Sequence, residues 1–449
     1  MQVRNMTEGR PIRLILAVAL PLMVGNIFQQ LYTVVDAMVV GRVEGVSALA
    51  ALGASDWFYW MFLGLIQGLA QGFTIPMAQT FGAKDYAALR KNVGNSITLA
   101  VINSAVIMTA ALLTIPVVLD MLGTPQDIRP MSEKYLTVLF AAFPIVMAYN
   151  LMAGILRSLG DGKSPLYAMI VASLVNIVLD ILFVAGFGWG VLGAAAATAI
   201  AQGCASLFCL YRLSRIDFIR PAKADFRLDF PISKRLMLLG LPVAAQNGII
   251  GVGGMIVQTV VNQLGKAFIA GYTATNKLYG VLEMAAISYG YATSTYAGQN
   301  LGAGKISRIR RGVHSSVLTG VLTAGVIAVC MFLFGQGITG SFLSGDPAEV
   351  AEAGRIAWEY LALMSVCLPV LYVLHIYRSA LQGMGQTVMP MASGIAEFVM
   401  RTGAAILLPG VIGYTGVFWA EVLAWMGADL ILVTSYYLIF RKIRAQYGE

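Results

Sequence analysis

Two stretches of this chain, AQTFGAKD at residues 78–85 and GQNLGAGK at residues 298–305, repeat one pattern at a constant offset. The matched residues are Gln79 with Gln299, Gly82 with Gly302, Ala83 with Ala303, and Arg90 with Arg310. Self-similarity at a fixed long offset indicates a duplicated unit. In an apolar chain, two like halves are typical of a transporter with its substrate site between them.

The composition is that of a membrane protein. The 449 residues are 58% hydrophobic and 12% charged, whereas a soluble chain is about half apolar and a quarter charged. A spanning helix needs about 20 mostly apolar residues, and spans must be helical because lipid leaves no partner for open backbone groups. We therefore predict an all-α polytopic protein with about twelve spans. They are 13–41, 48–73, 92–118, 134–156, 165–187, 191–211, 236–264, 268–296, 313–335, 355–380, 387–410 and 414–440.

The duplication extends through the whole chain. Pro21 matches Pro242, and the Arg-Ser pair at 157–158 resembles the pair at 378–379. A basic stretch near the middle divides the spans equally. We predict an N-lobe at 1–213 (helices 1–6), a cytoplasmic linker at 214–233 and a C-lobe at 234–449 (helices 7–12). An even number of spans per half gives both lobes the same orientation in the membrane.

The net charge of +8 is explained by topology. With both termini in the cytoplasm, roughly 23 of the 30 Lys and Arg residues fall on that side, Arg378 among them, as the positive-inside rule requires. We expect a multi-pass protein of the inner (plasma) membrane that acts as a monomer. No basic motif with interleaved aromatic residues indicates a nucleic-acid partner.

An ATP site is excluded. Gly162-Lys163-Ser164 looks like the end of a phosphate-binding loop, but Arg157 stands where that loop requires a glycine. No soluble region is long enough for a nucleotide-binding domain. We expect no enzymatic activity and no cofactor, and we expect an ion gradient to supply the energy.

Ionisable groups inside predicted spans indicate where coupling occurs, because a charge at the bilayer centre costs at least about 2.5–3.5 kcal/mol. Asp36 lies deep in the first span and Asp180 deep in the fifth, with Asn176 one turn before Asp180. Thr198 lies in the sixth span. These oxygens suit a hard cation such as Na⁺, and paired carboxylates in a dry site also hold a proton. The alternative is that each aspartate bonds a neighbouring helix without titrating.

The second half does not repeat this site. Val257, Val399 and Gly403 stand at the positions of Asp36, Asn176 and Asp180, so ion coupling is predicted in the N-terminal half. The polar groups of the second half are Lys277, Glu283, His375, Glu397, Arg401, Glu421 and Asp429. Glu397 and Arg401, one turn apart, are expected to form a salt bridge. The other acids either attract a cationic substrate or pair between helices.

Side chains for a substrate cleft can also be suggested, since aromatic faces attract organic cations. The candidates are Gln29, Tyr32, Tyr149, Asn150, Tyr279 and Glu283. Gly82 and Gly302 are the predicted hinges, because glycine tolerates the positive φ of tight turns.

Four stretches carry a family resemblance: PLMVGNIFQQLYTVVDAMVVGRVEG, AQTFGAKD, RSLGDGKSPLYAMIVASLVNIVLD and GQNLGAGK. With them the chain resembles multidrug and toxic compound extrusion (MATE) transporters over essentially its whole length. The resemblance implies twelve helices in two pseudo-symmetric six-helix lobes around a central cleft. It also implies export of amphipathic, often cationic, organic compounds in exchange for H⁺ or Na⁺.

The resemblance extends to the ion site. Relatives use an aspartate on helix one, Asn and Asp on helix five and a threonine on helix six, which are Asp36, Asn176, Asp180 and Thr198 here. NorM-like relatives carry further acids on helices seven and ten that we do not match; Gln246 and His375 are the nearest polar residues. A DinF-like or related bacterial branch is therefore favoured.

Two other functions remain open. A flippase for a lipid-linked saccharide or cell-wall precursor would use the same scaffold and need a cationic cavity, to which Lys277 and Arg401 would contribute. A receptor or structural bundle would need neither the aspartates nor the repeated motifs. Small organic substrates, a coupling ion and the bilayer are the expected partners.

Overall fold

A computed structural model of the chain describes residues 3–44, 46–121, 124–126, 128–343 and 346–447. These ranges are nearly all helical and contain no β-strand. The first seven helices are α1 (Pro11–Val43), α2 (Val46–Gly82), α3 (Tyr86–Met121), α4 (Arg129–Ala141), α5 (Phe143–Ser158), α6 (Lys163–Asp180) and α7 (Gly190–Ser214). The others are α8 (Phe230–Asn262), α9 (Lys266–Gly302), α10 (Ile306–Gly340), α11 (Pro347–Gly383), α12 (Val388–Leu407), the short α13 (Pro409–Ile412) and α14 (Thr415–Gln446).

The helices account for the predicted spans. Ten described helices are long and apolar enough to cross a membrane. α4 and α5 together form an eleventh span, bent by 45°, where Pro144 in the first turn of α5 excludes a continuous hydrogen-bond ladder. α9 corresponds to the predicted span 268–296 and is 37 residues long, but it carries polar side chains such as Lys277 and Glu283 and is not among the helices that are apolar enough by this criterion. The all-α membrane fold expected from sequence is confirmed.

The duplication is visible in matched helix lengths. α1 and α8 each have 33 residues, with Pro21 and Pro242 inside them, and α2 and α9 each have 37. The repeated motifs end α2 and α9. Equal lengths at equal positions indicate that each half is one copy of the same unit.

The turns after α2 and α9 correct one detail of the predicted hinges. Gly82 and Gly302 are the last residues of their helices, whereas the positive φ angles occur two residues later, at Lys84 (60°) and Gly304 (69°). The amide of Lys305 donates to the carbonyl of Asn300 at 2.9 Å, the closing bond of a left-handed helix cap. Gly82 and Gly302 therefore need no positive φ. The left-handed position of each turn is held by Lys84 after α2 and by Gly304 after α9.

The chain forms two compact units. The first comprises Leu20–Gly248 with the residues before Thr7, and the second comprises Thr7–Ala19 with the residues from Ile249 onward. The first unit thus contains half of α8, and the second contains the start of α1. The lobe bounds given above from sequence stay a prediction.

In the first unit, α2 and α8 touch at their backbones. Any Cβ on Gly72 would overlap the backbone of Gly240, and Asn247 Nδ2 donates to the carbonyl of Gly64 at 3.1 Å. Glycines at four-residue spacing allow membrane helices to approach this closely. In the second unit, stacked aromatic rings join α9, α11 and α14, with Tyr272 and Tyr360 parallel at 5.0 Å.

Candidate functional site

Three helices of the first unit carry the predicted ion site. Asp36 lies on α1, Asn176 and Asp180 on α6, and Thr198 on α7. Asp180 is the last residue of α6, and the chain continues directly into a wider π-helical turn, Ile181–Gly186. Such turns inside helices occur often at functional positions. The predicted site therefore coincides with the irregular end of a membrane helix.

The ion-site cluster comprises these four side chains, which lie on three helices that are hydrogen-bonded to one another. Asn176 Nδ2 donates to Thr198 Oγ1 at 3.4 Å, and Asn176 and Asp180 are one turn apart on α6. All but Thr198 are almost fully buried.

Oxygen atoms in this cluster lack donors. One oxygen of Asp36, the side-chain oxygen of Asn176 and both oxygens of Asp180 are buried and accept no hydrogen bond from the described residues. Neither aspartate has a salt-bridge partner in the described part of the chain. Because buried polar atoms without partners are costly, these oxygens fit a proton or a hard monovalent cation. The described residues offer no group of three Asp, Glu, His or Cys side chains that would hold a transition metal.

Two residues belong to this cluster beyond the sequence-predicted site. Gln202 Nε2 donates to the hydroxyl of Tyr32 at 3.3 Å, and both side chains are buried. Tyr32 precedes Asp36 by one turn of α1, and Gln202 follows Thr198 by one turn of α7. That four-residue spacing was the signal for Gln202, whereas Tyr32 was assigned only to the cleft.

The second unit contains a buried ionic chain. Arg378 Nη2 donates to Glu397 at 2.7 Å, and Arg401 Nη2 donates to Glu397 and lies against Glu421, each at 2.9 Å. The Glu397–Arg401 salt bridge predicted from sequence is confirmed. Arg378, expected among the cytoplasmic charges, is instead buried, because Glu397 on the neighbouring helix neutralises it. The similarity of 378–379 to a loop motif hid that partner.

The remaining charges of this unit are more loosely held. His375 Nε2 lies 3.7 Å from Glu283 Oε1, so both have partners. One oxygen of Asp429 is buried without a donor among the described residues, and Lys277 is exposed. Glu359 is an acid in the tenth predicted span, to which no further acid was assigned above, and it accepts hydrogen bonds from Arg355 and Tyr414. Interhelical pairing is thus the arrangement of Glu283 and Glu421.

The suggested cleft residues are divided between the units. Gln29, Tyr32, Tyr149 and Asn150 lie in the first unit, and Tyr279 and Glu283 lie in the second. Asn150 Nδ2 donates to the carbonyl of Val146 on its own helix. Tyr279 stacks on Trp425, with ring centres 5.9 Å apart. Their role as a common substrate surface stays a prediction.

The stretch that looked like a phosphate-binding loop is a helix start. Asp161 Oδ1 accepts hydrogen bonds from the amides of Lys163 and Ser164 at 3.0 and 2.9 Å. Arg212 Nε donates to the hydroxyl of Ser164 at 2.9 Å. These donors are already used within the protein.

A duplicated bundle of long membrane helices, with buried carboxylates inside one unit, defines a polytopic membrane transporter. The MatE family model matches residues 21–182 and 242–407, one stretch in each half. The chain belongs to the MatE family.

Similar proteins agree with this assignment. The probable multidrug resistance protein YoeA of Bacillus subtilis is 27% identical over 76% of this chain and 76% of its own length. The probable multidrug resistance protein YpnP of the same organism is 26% identical over 93% of both chains. The protein in the crystal structure of a MATE in complex with MaL6 is 22% identical to this chain and superposes on it with a TM-score of 0.91. The superposition covers 98% of this chain and 99% of the other. This likeness confirms the twelve-helix, two-lobe fold.

Proposed function

We propose that the protein exports amphipathic, often cationic, organic compounds by cation-coupled antiport, with H⁺ or Na⁺ as the coupling ion. The observation that carries the proposal is the pair of buried carboxylates, Asp36 and Asp180, which have no positive partner in the described chain. A buried charge in this state is costly unless a cation or proton neutralises it. The site is therefore suited to bind and release such an ion during each transport cycle.

Each residue has a proposed role. Asp36 and Asp180 carry the charge that the ion neutralises, and the oxygens of Asn176 and Thr198 complete an oxygen-only ligand set, which hard cations prefer. Tyr32 and Gln202 join α1 to α7 beside Asp36. Asp36 and the candidate cleft residue Gln29 lie on the same helix, so a change at Asp36 is passed along α1 to Gln29 and through this hydrogen bond to α7.

The substrate class is supported by the relatives, which carry the names of multidrug resistance proteins. We propose that the chain works as a monomer in the plasma membrane, with both termini in the cytoplasm. The excess of Lys and Arg in the loops assigned to that side supports this orientation.

A lipid-linked saccharide flippase is less favoured. A pyrophosphate would need free cations, but Arg401 lies between Glu397 and Glu421, and Arg378 is bound to Glu397. Breaking such buried pairs to bind a ligand is costly. Of the two cations suggested for this function, Lys277 and Arg401, only Lys277 is exposed.

The experiment is drug efflux from cells and from proteoliposomes with the proton and sodium gradients collapsed separately. We expect efflux to stop when one of the two gradients is collapsed and to continue when the other is collapsed. Asp36→Asn and Asp180→Asn should each lower the coupled rate at least about tenfold, a loss of 1.4 kcal/mol, because each removes a charge that the ion neutralises. Asp217→Asn, an exposed linker aspartate, is the control and should behave as wild type. Wild-type efflux by both purified, folded site variants would contradict the proposal.

A further inference from the structure

Each compact unit holds a segment that leads into the first helix of the other half. The first leading segment, residues 7–10, precedes α1 and lies in the second unit. The second leading segment, residues 222–235, precedes and begins α8 and lies in the first unit. The exchange is reciprocal, and the repeated motifs take part in both.

The second motif binds the first leading segment. Lys305 Nζ, at the end of GQNLGAGK, donates to the carbonyl of Thr7 at 3.0 Å and lies 3.5 Å from its hydroxyl. Arg308 Nη2 donates to the carbonyl of Gly9 at 3.0 Å. Thr7 is 4% exposed, so the segment is seated on this site.

The motif also orients the arginine. Arg308 Nε donates to Asn300 Oδ1 at 3.0 Å, and its guanidinium lies over the ring of Tyr296 at 5.9 Å. Asn300 belongs to GQNLGAGK, so both the lysine and the asparagine of the motif contribute. Charge-assisted hydrogen bonds of this kind are stronger than neutral ones.

The second leading segment is bound mainly by α3, the helix after the first motif. Asn95 is buried; its Nδ2 donates to the carbonyl of Asp225 at 3.1 Å, and its Oδ1 accepts from the amide of Asp229 and the hydroxyl of Ser233 at 2.8 and 3.0 Å. Thr98 Oγ1 donates to the carbonyl of Phe226 at 2.8 Å. The central linker is thus docked through one amide side chain and one hydroxyl.

The first motif itself contacts the same segment. Arg235 Nη2 donates to Gln79 Oε1 at 2.8 Å, and Gln79 is the glutamine of AQTFGAKD. Gly94 has no room for a Cβ, because it would overlap the carbonyl of Asp225. Both repeated motif regions therefore bind the chain that enters the opposite half.

We propose that these two contacts are reciprocal clasps that stabilise one access state and open when the transporter changes state. The proposal rests on the proposed function, because antiport requires the transporter to alternate between two access states. A leading segment is covalently joined to one half and hydrogen-bonded to the other. Relative motion of the halves must either carry each clasp along or break it, and breaking it shifts the equilibrium between states.

Hydrogen exchange measured by mass spectrometry on the purified protein tests whether the clasps hold. Lys305→Ala should speed amide exchange in residues 7–10 about tenfold, the loss expected for a charged hydrogen bond, and Thr98→Val should speed it in residues 222–235. The matched controls are Arg310→Ala, at an exposed position of α10, and Thr109→Val, where the threonine hydroxyl donates to the carbonyl of Ala105 within α3. Lys305→Arg should restore protection. Equal exchange in clasp and control variants would overturn the proposal.

Access is measured separately, without relying on export. A cysteine at Gln29 is introduced in a background lacking Cys204, Cys209, Cys330 and Cys367, and is alkylated with a membrane-impermeant maleimide. The alkylation rate is measured in inside-out and in right-side-out vesicles. Each of the variants Lys305→Ala and Thr98→Val should raise the rate in one kind of vesicle and lower it in the other, by at least about fivefold. Unchanged rates despite faster exchange would show static packing and overturn the clasps. A shift in access without coupled efflux would leave the clasps standing and refute only the proposed function.

Discussion

Glu397 is the acceptor that holds two arginines inside the second unit. It binds Arg378 and Arg401 at 2.7 and 2.9 Å and is itself buried. Removing one partner from a buried pair leaves uncompensated charge and costs about 3–5 kcal/mol. We predict that Glu397→Gln lowers the free energy of unfolding by about that amount, measured by thermal unfolding in detergent.

A control separates this effect from the loss of any carboxylate. Glu349 lies exposed in the first turn of α11, so Glu349→Gln should change stability by less than about 0.5 kcal/mol. Equal melting temperatures for the two variants would mean that Arg378 and Arg401 find other partners and that Glu397 is not the centre of the buried ionic chain.

At this scale, the sequence was informative where a residue's type was anomalous for its surroundings. Asp36 and Asp180 stood out because carboxylates are rare inside spans, and Glu397 with Arg401 because they are one turn apart. Arg378 did not, since its partner is on another helix and its neighbours resembled a loop. Residues whose role depends on a tertiary partner are the ones that composition and periodicity missed.

At the scale of elements, the matched turns after α2 and α9 differ in one residue. Lys84 has a φ of 60° where Gly304 has 69°, and a left-handed conformation costs a non-glycine residue roughly 1–2 kcal/mol. We predict that Lys84→Gly stabilises the protein by up to about 1 kcal/mol and that Gly304→Ala destabilises it by roughly 1–2 kcal/mol. Chemical denaturation in detergent is the measurement.

The matched control is Gly340→Ala at the end of α10, where a Cβ meets no atom within 4 Å and φ is not positive. It should be neutral or slightly stabilising, because alanine favours helix. If Gly304→Ala behaved like this control, the turn would adapt at no cost, and the left-handed cap would not be needed.

Helix existence followed from hydropathy, whereas helix shape did not. The predicted span 134–156 is broken between α4 and α5, and the predicted span 165–187 ends in a π-helical turn. Pro144 gave a signal for the first, but prolines inside α1 and α8 leave those helices continuous. Neighbouring helices decide whether a proline breaks a span, and a single sequence does not contain that information.

On the scale of the whole molecule, ion and substrate are expected to compete. A ligand shifts an equilibrium only through different affinities for the two states. If filling the site at Asp36 changes α1, the candidate cleft beside Gln29 changes with it, and Pro21 makes that helix easier to deform. We predict at least about fivefold weaker binding of tetraphenylphosphonium when the ion site is filled, and by linkage equally weaker ion binding with substrate present.

The measurement is a set of binding isotherms across pH and sodium concentration. Asp36→Asn and Asp180→Asn should bind the probe with an affinity that no longer depends on the coupling ion, whereas Asp217→Asn should retain the dependence. Affinity in the wild type that is independent of both ions would contradict competition.

The gross architecture could be predicted because the hydrophobic spans and the duplication are both written in the sequence. The exchange of leading segments could not. It depends on Asn95 meeting residues about 130 positions away and on Lys305 meeting Thr7. Neither partner is marked by type or spacing.

The backbone contact between α2 and α8 fixes the distance between these two helices, so that this distance can serve as an internal reference. Gly72 and Gly240 leave no gap into which either helix could slide or turn without first separating. Spin labels placed on exposed positions of α2 and α8 beside these two glycines should therefore report one narrow distance, because opening the clasp frees only the linker and the first turns of α8, up to residue 235, while the glycine contact stays closed. Labels placed elsewhere can be read against that pair, so that a real change of distance is separated from a change in label behaviour.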